Sequence, residues 1–499
     1  MGKRRAITIL DAVRDPMVFG PCFKDQATWA SWRAFLAALF GLPLDPSALE
    51  TYRACTGRSV PPTTPFREAW LICGRRAGKS FTLALIAVYL ATLRDYRKHL
   101  ASGERATIMV VASDRKQART ILRYISGLLN DNPMLAKLVM SNRSDAFDLT
   151  NRVTIEVGTC SIRALRGYTI AAALLDEVAF WRDENSSDPD VEVISSIRPG
   201  MLTIPGAMLL CASSPYAKRG ALWDTYRRHF AKDHAPVLVW KATTRQMNPS
   251  VPQADIDNAM DADPARATAE YLAEFRTDVE TFLSRKAIEQ CVSLGVSARA
   301  PLSSLQYVGF VDPSGGASDS MTMAIAHAET RDGRRAIVLD AIAERKPPFS
   351  PEAVAEEFAS LLKQYRVYTI HGDRYAGEWP REQFRKRGIT YMPAAKAKSD
   401  IYLELLPHVS SRSLDLLDHP KLCTQLISLE RRTARGGRDS IDHSPGAHDD
   451  LANAVAGAIY LAASKQAISF ACGEVITAPR TNQFENTPEY ADYGWYMGQ

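Results

Sequence analysis

The sequence predicts two α/β units in tandem, and three observations carry that prediction. Short apolar runs that read as buried strands alternate with helical stretches, and many of these runs end in polar residues. The alternation breaks over Asn248 to about Ser304, where Pro249, Pro252 and Pro264 interrupt it, and then resumes. The chain's 499 residues are enough for two or three domains, each with its own core. The expected division is 1–247, a lid or linker at 248–304, a second unit at 305–465, and a tail at 466–499 with no clear period.

Composition narrows the class further. A charged fraction of 23% and a hydrophobic fraction of 46% are those of an ordinary globular protein, and the net charge of +5 by itself argues for no partner. The cysteines are scattered, and several lie in apolar runs, which suits reduced thiols better than disulfides or zinc. The longest apolar run, Leu83 to Leu93, is too short to span a bilayer. The start, Met1-Gly2-Lys3-Arg4-Arg5, lacks the apolar core of a signal peptide. The expectation is a soluble protein of the cytoplasm with no membrane partner.

Taken in order, Lys24 to Leu42 reads as a helix with Trp29, Trp32, Leu36 and Phe40 on one stripe, a core face that could also border an adenine pocket. A strand from Ala69 to Cys73 leads into Gly74-Arg75-Arg76-Ala77-Gly78-Lys79-Ser80, and a helix opens at Lys79. This is the form of a phosphate-binding P-loop, whose backbone N–H groups hold phosphate oxygens at a helix N-terminus. Lys79 is placed for the β and γ phosphates of ATP and Ser80 for Mg²⁺; Cys73 stands where the general pattern has glycine. Ala106 to Ala112 is a buried strand, and Ser113 and Asp114 can cap the helix that follows to about Asn130. Short strands follow at Arg152 to Val157 and Ser161 to Leu165. The strand from Ile170 ends in Asp176-Glu177, and the strand Ala207 to Ala212 is followed by Ser213-Ser214-Pro215. In the same sheet as a P-loop, Asp176 would hold the Mg²⁺ water shell and Glu177 would orient or deprotonate the attacking water. Arg75 in cis or Arg166 across a subunit boundary could supply the transition-state cation, and Ser213 and Ser214 could sense the γ-phosphate.

The second unit starts at Gln306 to Asp312. Strands at Met321 to Ala328 and Ala336 to Ala343 follow, then a helix from Pro351, a strand ending at Asp373 and a helix through Pro380 to Lys386. Three consecutive strands, then helix, strand and helix, is the order of an RNase H-like domain. Asp312 and Asp373 end strands, and Asp449 and Asp450 open the final helix, which runs to about Ala463. Acids so placed can converge on two Mg²⁺ ions that clamp a phosphodiester, with Mn²⁺ as a possible substitute. Asp450 lies nearer the apolar face of its helix, but a non-helical Asp449 escapes the wheel, so both stay candidates; Asp319 is a candidate auxiliary ligand. Lys396, Lys398, Arg431, Arg432, Arg435 and Arg438 are the basic residues proposed for DNA phosphates.

Together, the Gly74 to Ser80 loop, Leu174 to Phe180, Cys211 to Pro215, Asp312, Asp373 and His448-Asp449-Asp450 resemble the large terminase subunit of tailed bacteriophages, over roughly residues 25 to 465. That family has a deviant, arginine-bearing P-loop followed by an RNase H-like nuclease. The resemblance implies that Gly74, Arg75, Arg76, Ala77, Gly78, Lys79, Ser80, Asp176, Ser213 and Ser214 form the ATP·Mg²⁺ site, with Glu177 as base and Arg75 or Arg166 as arginine finger. It implies that Asp312, Asp373 and Asp449 or Asp450 are nuclease metal ligands. It also implies double-stranded DNA, a procapsid portal and a small terminase subunit as partners, and a ring, usually of five copies. The alternative is a helicase- or repair-type ATPase–nuclease outside any virus.

Overall fold

In the computed structural model the described residues are 7–160, 167–183, 186, 188–316, 319–331, 333–373, 379–433, 439–444 and 447–464. The strand expected at Ser161 to Leu165, Arg166, Arg435, Arg438 and the tail lie outside them. The first unit is built on a sheet of β1 (Glu68–Cys73), β2 (Ala106–Ala112), β3 (Val139–Asn142), β4 (Ala146–Leu149), β5 (Val153–Thr159), β6 (Thr169–Asp176), β7 (Met208–Ser213) and β8 (Val237–Ala242). Their order is β3-β4-β5-β2-β6-β7-β1-β8, parallel except for the antiparallel pairs β3–β4 and β4–β5. Strands β2 and β7 are buried throughout, as continuous apolar runs must be when helices cover both faces of a sheet. The helix Lys79–Leu93 is buried on almost every side, which explains its lack of a polar face.

The second unit holds β9 (Val279–Thr281), β10 (Val292–Ser293), β11 (Tyr307–Asp312), β12 (Met321–Arg331), β13 (Arg334–Arg345), β14 (Thr369–Gly372), β15 (Thr390–Pro393), β16 (Leu414–Leu417), β17 (Leu429–Thr433) and β18 (Asp439–His443). Its main sheet runs β10-β16-β13-β12-β11-β14-β15, and β18-β17-β9 form a small one. Antiparallel β11–β12–β13 with β14 added parallel to β11 is the RNase H-like arrangement. The helix Asp450–Ser464 packs on this sheet at Gly457, where a Cβ would stand 2.3 Å from the Phe310 ring. No helix among the described residues is long and apolar enough to cross a membrane.

Two expectations change. Residues 24–42 form a 3₁₀ turn (Ala27–Trp29) and the helix Ala30–Leu39 instead of one helix; Asp25 accepts the Ala27 N–H at 3.0 Å and turns the chain before the helix starts. Residues 248–304 contribute to both units. The helices Gln253–Ala262 and Pro264–Leu272 belong with the P-loop side, whereas β9 pairs with β17 and β10 with β16.

The units meet at a buried acid. Glu430 on β17 is 0% exposed and accepts from Tyr216 Oη at 2.7 Å, from Arg219 and from Arg432 Nη2 at 3.2 Å. Tyr216 and Arg219 follow directly on the loop after β7, so one end of the first sheet is tied to the β17–β18 hairpin.

Candidate functional site

The P-loop is held from outside by its own carbonyls. Thr244 Oγ1 donates to the Arg75 carbonyl at 2.8 Å, Asn248 Nδ2 to that of Arg76 at 2.9 Å and Trp32 Nε1 to that of Ala77 at 2.9 Å. Gly74 has no room for a side chain, since a Cβ would stand 2.2 Å from Thr244 Oγ1. Gly78 has φ 102°, the left-handed conformation in which glycine is unstrained, and it caps the helix at Lys79. The first N–H groups of that helix have no carbonyl four residues back, so the loop presents donors where a phosphate belongs. Cys73 is the last residue of β1 and fully buried; its thiol, pushed up to about 12 by burial, is a core side chain and the turn begins after it.

Inside the loop the predicted residues come together. Lys79 Nζ donates to the Cys73 carbonyl at 3.1 Å, the Gly74 carbonyl at 3.2 Å and Ser214 Oγ at 3.0 Å, and lies 3.3 Å from Glu177 Oε1. Glu177 sits at φ 54°, a left-handed position rare for a residue with a side chain. Its Oε2 accepts from Ser213 Oγ at 3.2 Å and from the Ser214 N–H at 3.1 Å. Ser80 Oγ donates to Asp176 Oδ2 at 2.8 Å. Gln117, which sequence reasoning missed, donates its amide to both, at 2.9 Å to Ser80 Oγ and 2.7 Å to Asp176 Oδ2. Burial, followed by the charge of Glu177, raises the Asp176 pKa above the ordinary carboxylate range. Asp176 Oδ1 is buried with no hydrogen-bond partner. An unpartnered carboxylate oxygen beside a serine hydroxyl fits the water shell of a Mg²⁺ ion. Arg75 is turned elsewhere: its guanidinium meets Glu270 at 3.0 Å. Arg76 is exposed and also left-handed, at φ 63°.

A second pocket of about 290 Å³ opens at the end of β11, lined by Asp312, Pro313, Ser314, Gly315, Asp319, Ser320 and Asp450. The parallel register, Val311 opposite Gly372, sets Asp373 beside Asp312 at adjacent strand ends. Asn453, one turn into the last helix, donates to Asp312 Oδ2 at 2.8 Å. Burial pushes the Asp312 carboxyl up to about 7, a shift the Asn453 bond opposes and Asp450 and Asp449 reinforce. Asp450 is raised likewise, by burial and then by Asp449. Such acids fit divalent cations, because a metal supplies the charge that burial denies them.

The two neighbouring aspartates part company here. Asp450 faces the pocket, whereas Asp449 accepts Lys398 Nζ at 2.8 and 2.7 Å and Tyr402 Oη at 2.8 Å. Asp442, His443 and Asp449 also bring ligand-type atoms within 4.8 Å of one another, with Lys398 Nζ 3.5 Å from Asp442. Of the described basic residues proposed for DNA, each is tied to an acid. Lys396 pairs with Glu404, Lys398 with Asp449, Arg431 with Asp439 and Arg432 with Glu430.

The fold and sites thus define a chain that joins a P-loop NTPase-like unit to an RNase H-like unit. No protein-family model and no curated protein matches it. Among solved structures it is similar to the HK97 bacteriophage large terminase, with 15% identity, 86% of this chain and 99% of that chain covered, and a TM-score of 0.38. It is also similar to the large terminase nuclease from the thermophilic phage G20c, with 14% identity, 36% of this chain and 96% of that chain covered, and a TM-score of 0.31.

Proposed function

We propose that the chain is a phage large terminase subunit, which drives double-stranded DNA into a procapsid with ATP and cuts concatemeric DNA with a metal-dependent nuclease. The observation that carries the reading is the presence of both sites in one chain: Lys79, Ser80, Asp176 and Glu177 around the P-loop, and Asp312 and Asp450 around the second pocket, with Asp373 at the adjacent strand end. In this reading Lys79 leaves its loop carbonyls for the β and γ phosphates, and Glu177 takes the proton of the attacking water. Ser213 and Ser214, bound to Glu177, report the γ-phosphate to the loop beyond β7. Ser80 and Asp176 would hold a Mg²⁺ ion, which would supply positive charge at the leaving phosphates. Arg75 acts as a cis finger only after releasing Glu270, and Arg166 is the candidate in trans.

In the second pocket Asp312, Asp373 and Asp450 would hold two divalent ions, Mg²⁺ or Mn²⁺, with Asp319 as an auxiliary ligand. Such ions would activate a water as nucleophile and stabilise the leaving oxygen. The portal, a small terminase subunit and a ring of about five copies are the partners the reading implies. The test is ATP-driven uptake of DNA into purified empty capsids. The parent protein should package, Lys79→Ala should not, and Glu177→Gln should bind ATP without turning it over. A parent protein with neither ATPase nor nuclease activity refutes the reading.

A further inference from the structure

The helix Arg115–Asn130 has two chemically distinct sides. At about 100° per residue, Arg115, Arg119, Arg123 and Lys116 fall within one arc of about 100°. All four are exposed. Ile121, Ile125, Leu128 and Leu129 lie on the opposite arc and are buried. Gln117 lies on that inner side too, where its amide touches Ser80 and Asp176. The helix sequence, RKQARTILRYISGLLN, contains no acid. No ion pair of the four cations is recorded among the described residues, whereas Lys396, Lys398, Arg431 and Arg432 are each engaged by a carboxylate. A cation already paired with an acid must give up that partner before it neutralises a phosphate, whereas an unpaired one does not.

We propose that the outer face of this helix, Arg115, Lys116, Arg119 and Arg123, is a contact surface for the phosphate backbone of double-stranded DNA. The inference rests on the DNA-translocating reading above and deepens it by naming the surface. Arg115, Arg119 and Arg123 follow one another at about 6 Å along the helix axis, a spacing set by the 1.5 Å rise. Three guanidiniums in a row meet a duplex that carries one charge per ~1.7 Å of its length, without any demand on base sequence. The same helix begins at the nucleotide site, since Asp114 caps it and holds the Gln117 N–H at 2.9 Å.

The test measures binding of the full-length protein to a 30-base-pair duplex of arbitrary sequence in EDTA, so that nothing is cut, over a series of salt concentrations. The variant replaces Arg115, Lys116, Arg119 and Arg123 together by Gln, and ATP binding and the melting temperature show that it is folded. The expected result is at least tenfold weaker binding and a log–log salt slope shallower by about 3 to 4, from roughly 0.9 per phosphate contact. A second variant, Lys396→Gln with Arg431→Gln, should change the slope by less than about 1. An unchanged slope and affinity in the quadruple variant overturn the proposal. So does a variant that keeps DNA affinity but alters self-association, which would make the face a contact between copies. A parent protein that hydrolyses ATP but binds no duplex overturns this inference and leaves the nucleotide site standing.

Discussion

The two pockets treat their acids in opposite ways. Around the P-loop, the resident Lys79 lies 3.3 Å from Glu177, and Ser80 and Gln117 donate to Asp176. That pocket is assembled from its own cation and donors, with a single orphan oxygen, Asp176 Oδ1, left over. In the second pocket Asp312 receives one amide, from Asn453, and the nearby ammonium of Lys398 is committed to Asp449. The difference teaches how each site depends on what it binds. The first is largely assembled before a phosphate arrives, although Lys79 and Gln117 must still change partners; the second holds two buried acids, Asp312 and Asp450, whose charge an added cation would offset.

The largest effect that would break this comparison comes from removing a pocket acid. Asp312→Asn should lower Mg²⁺- or Mn²⁺-dependent DNA cutting by about a thousandfold or more. ATP hydrolysis should be undisturbed, and a variant that cuts as fast as the parent would show that the acids are structural. Next comes the joint between the two units at Glu430. Glu430→Ala removes the buried carboxylate shared by Tyr216, Arg219 and Arg432 and leaves the buried Tyr216 hydroxyl and two partly exposed guanidiniums without their acceptor. A loss of about 2 kcal/mol in unfolding free energy is expected, read from urea denaturation. A loss below about 0.5 kcal/mol would show that solvent, not Glu430, balances these arginines.

Much of this arrangement is legible in the chain because it is local. Lys79, Ser80, Asp176 and Glu177 announce themselves as strand ends and a loop, and Asp312 and Asp373 as strand ends in a recognisable order. What is hidden is long-range. Gln117 looks like any polar residue in a first helical turn; only its position three residues after the Asp114 cap hints that its side chain is directed. Asn453 falls three residues after Asp450, on the same helix face, yet its bond to Asp312 spans 141 positions. Which of Asp449 and Asp450 enters the pocket depends on Lys398 and Tyr402, one turn apart on another helix. The four described basic residues first proposed for DNA show the same limit: their acidic partners cannot be seen from composition. Arg432 is instructive, because its partner Glu430 is only two residues away and yet belongs to the joint between units.

Proton competition sharpens the comparison next. Burial holds the Asp312 carboxyl near a pKa of about 7 in the metal-free protein, against ~3.9 for an unfolded aspartate. Its contribution to stability is therefore fully present below the unfolded value and is lost as pH rises through about 7. Metal binding must displace the same proton, so apparent affinity at the second pocket should fall about tenfold per unit below pH 7. Melting temperatures in EDTA and in Mn²⁺, from pH 5 to pH 8, check both statements. The metal-induced rise should grow with pH, and the parent-minus-Asp312→Asn difference in EDTA should become more negative. A metal effect that is flat with pH would mean that Asp312 already carries its charge.

The smallest effect belongs to the preorganised pocket, and it tests whether that pocket is as complete as its hydrogen bonds suggest. Gln117 donates to Ser80 Oγ and Asp176 Oδ2, atoms that would have to face a cation when ATP·Mg²⁺ is bound. An amide N–H pointing at a metal site is unfavourable, so on metal binding the side chain would have to turn its carbonyl oxygen toward the site. Gln117→Ala deletes that support while leaving Lys79 and the loop donors in place. The Mg²⁺ concentration that gives half-maximal ATP binding should rise about tenfold, the usual scale for a residue that orients a ligand from behind. ATP affinity at saturating Mg²⁺ should change by less than about threefold, because the phosphates are held by the loop and Lys79. Titrating Mg²⁺ against a fluorescent ATP analogue separates the two quantities. If Mg²⁺ dependence is unaltered, Gln117 merely fills the ligand-free site, and the completeness of this pocket rests on Ser80 and Asp176 alone.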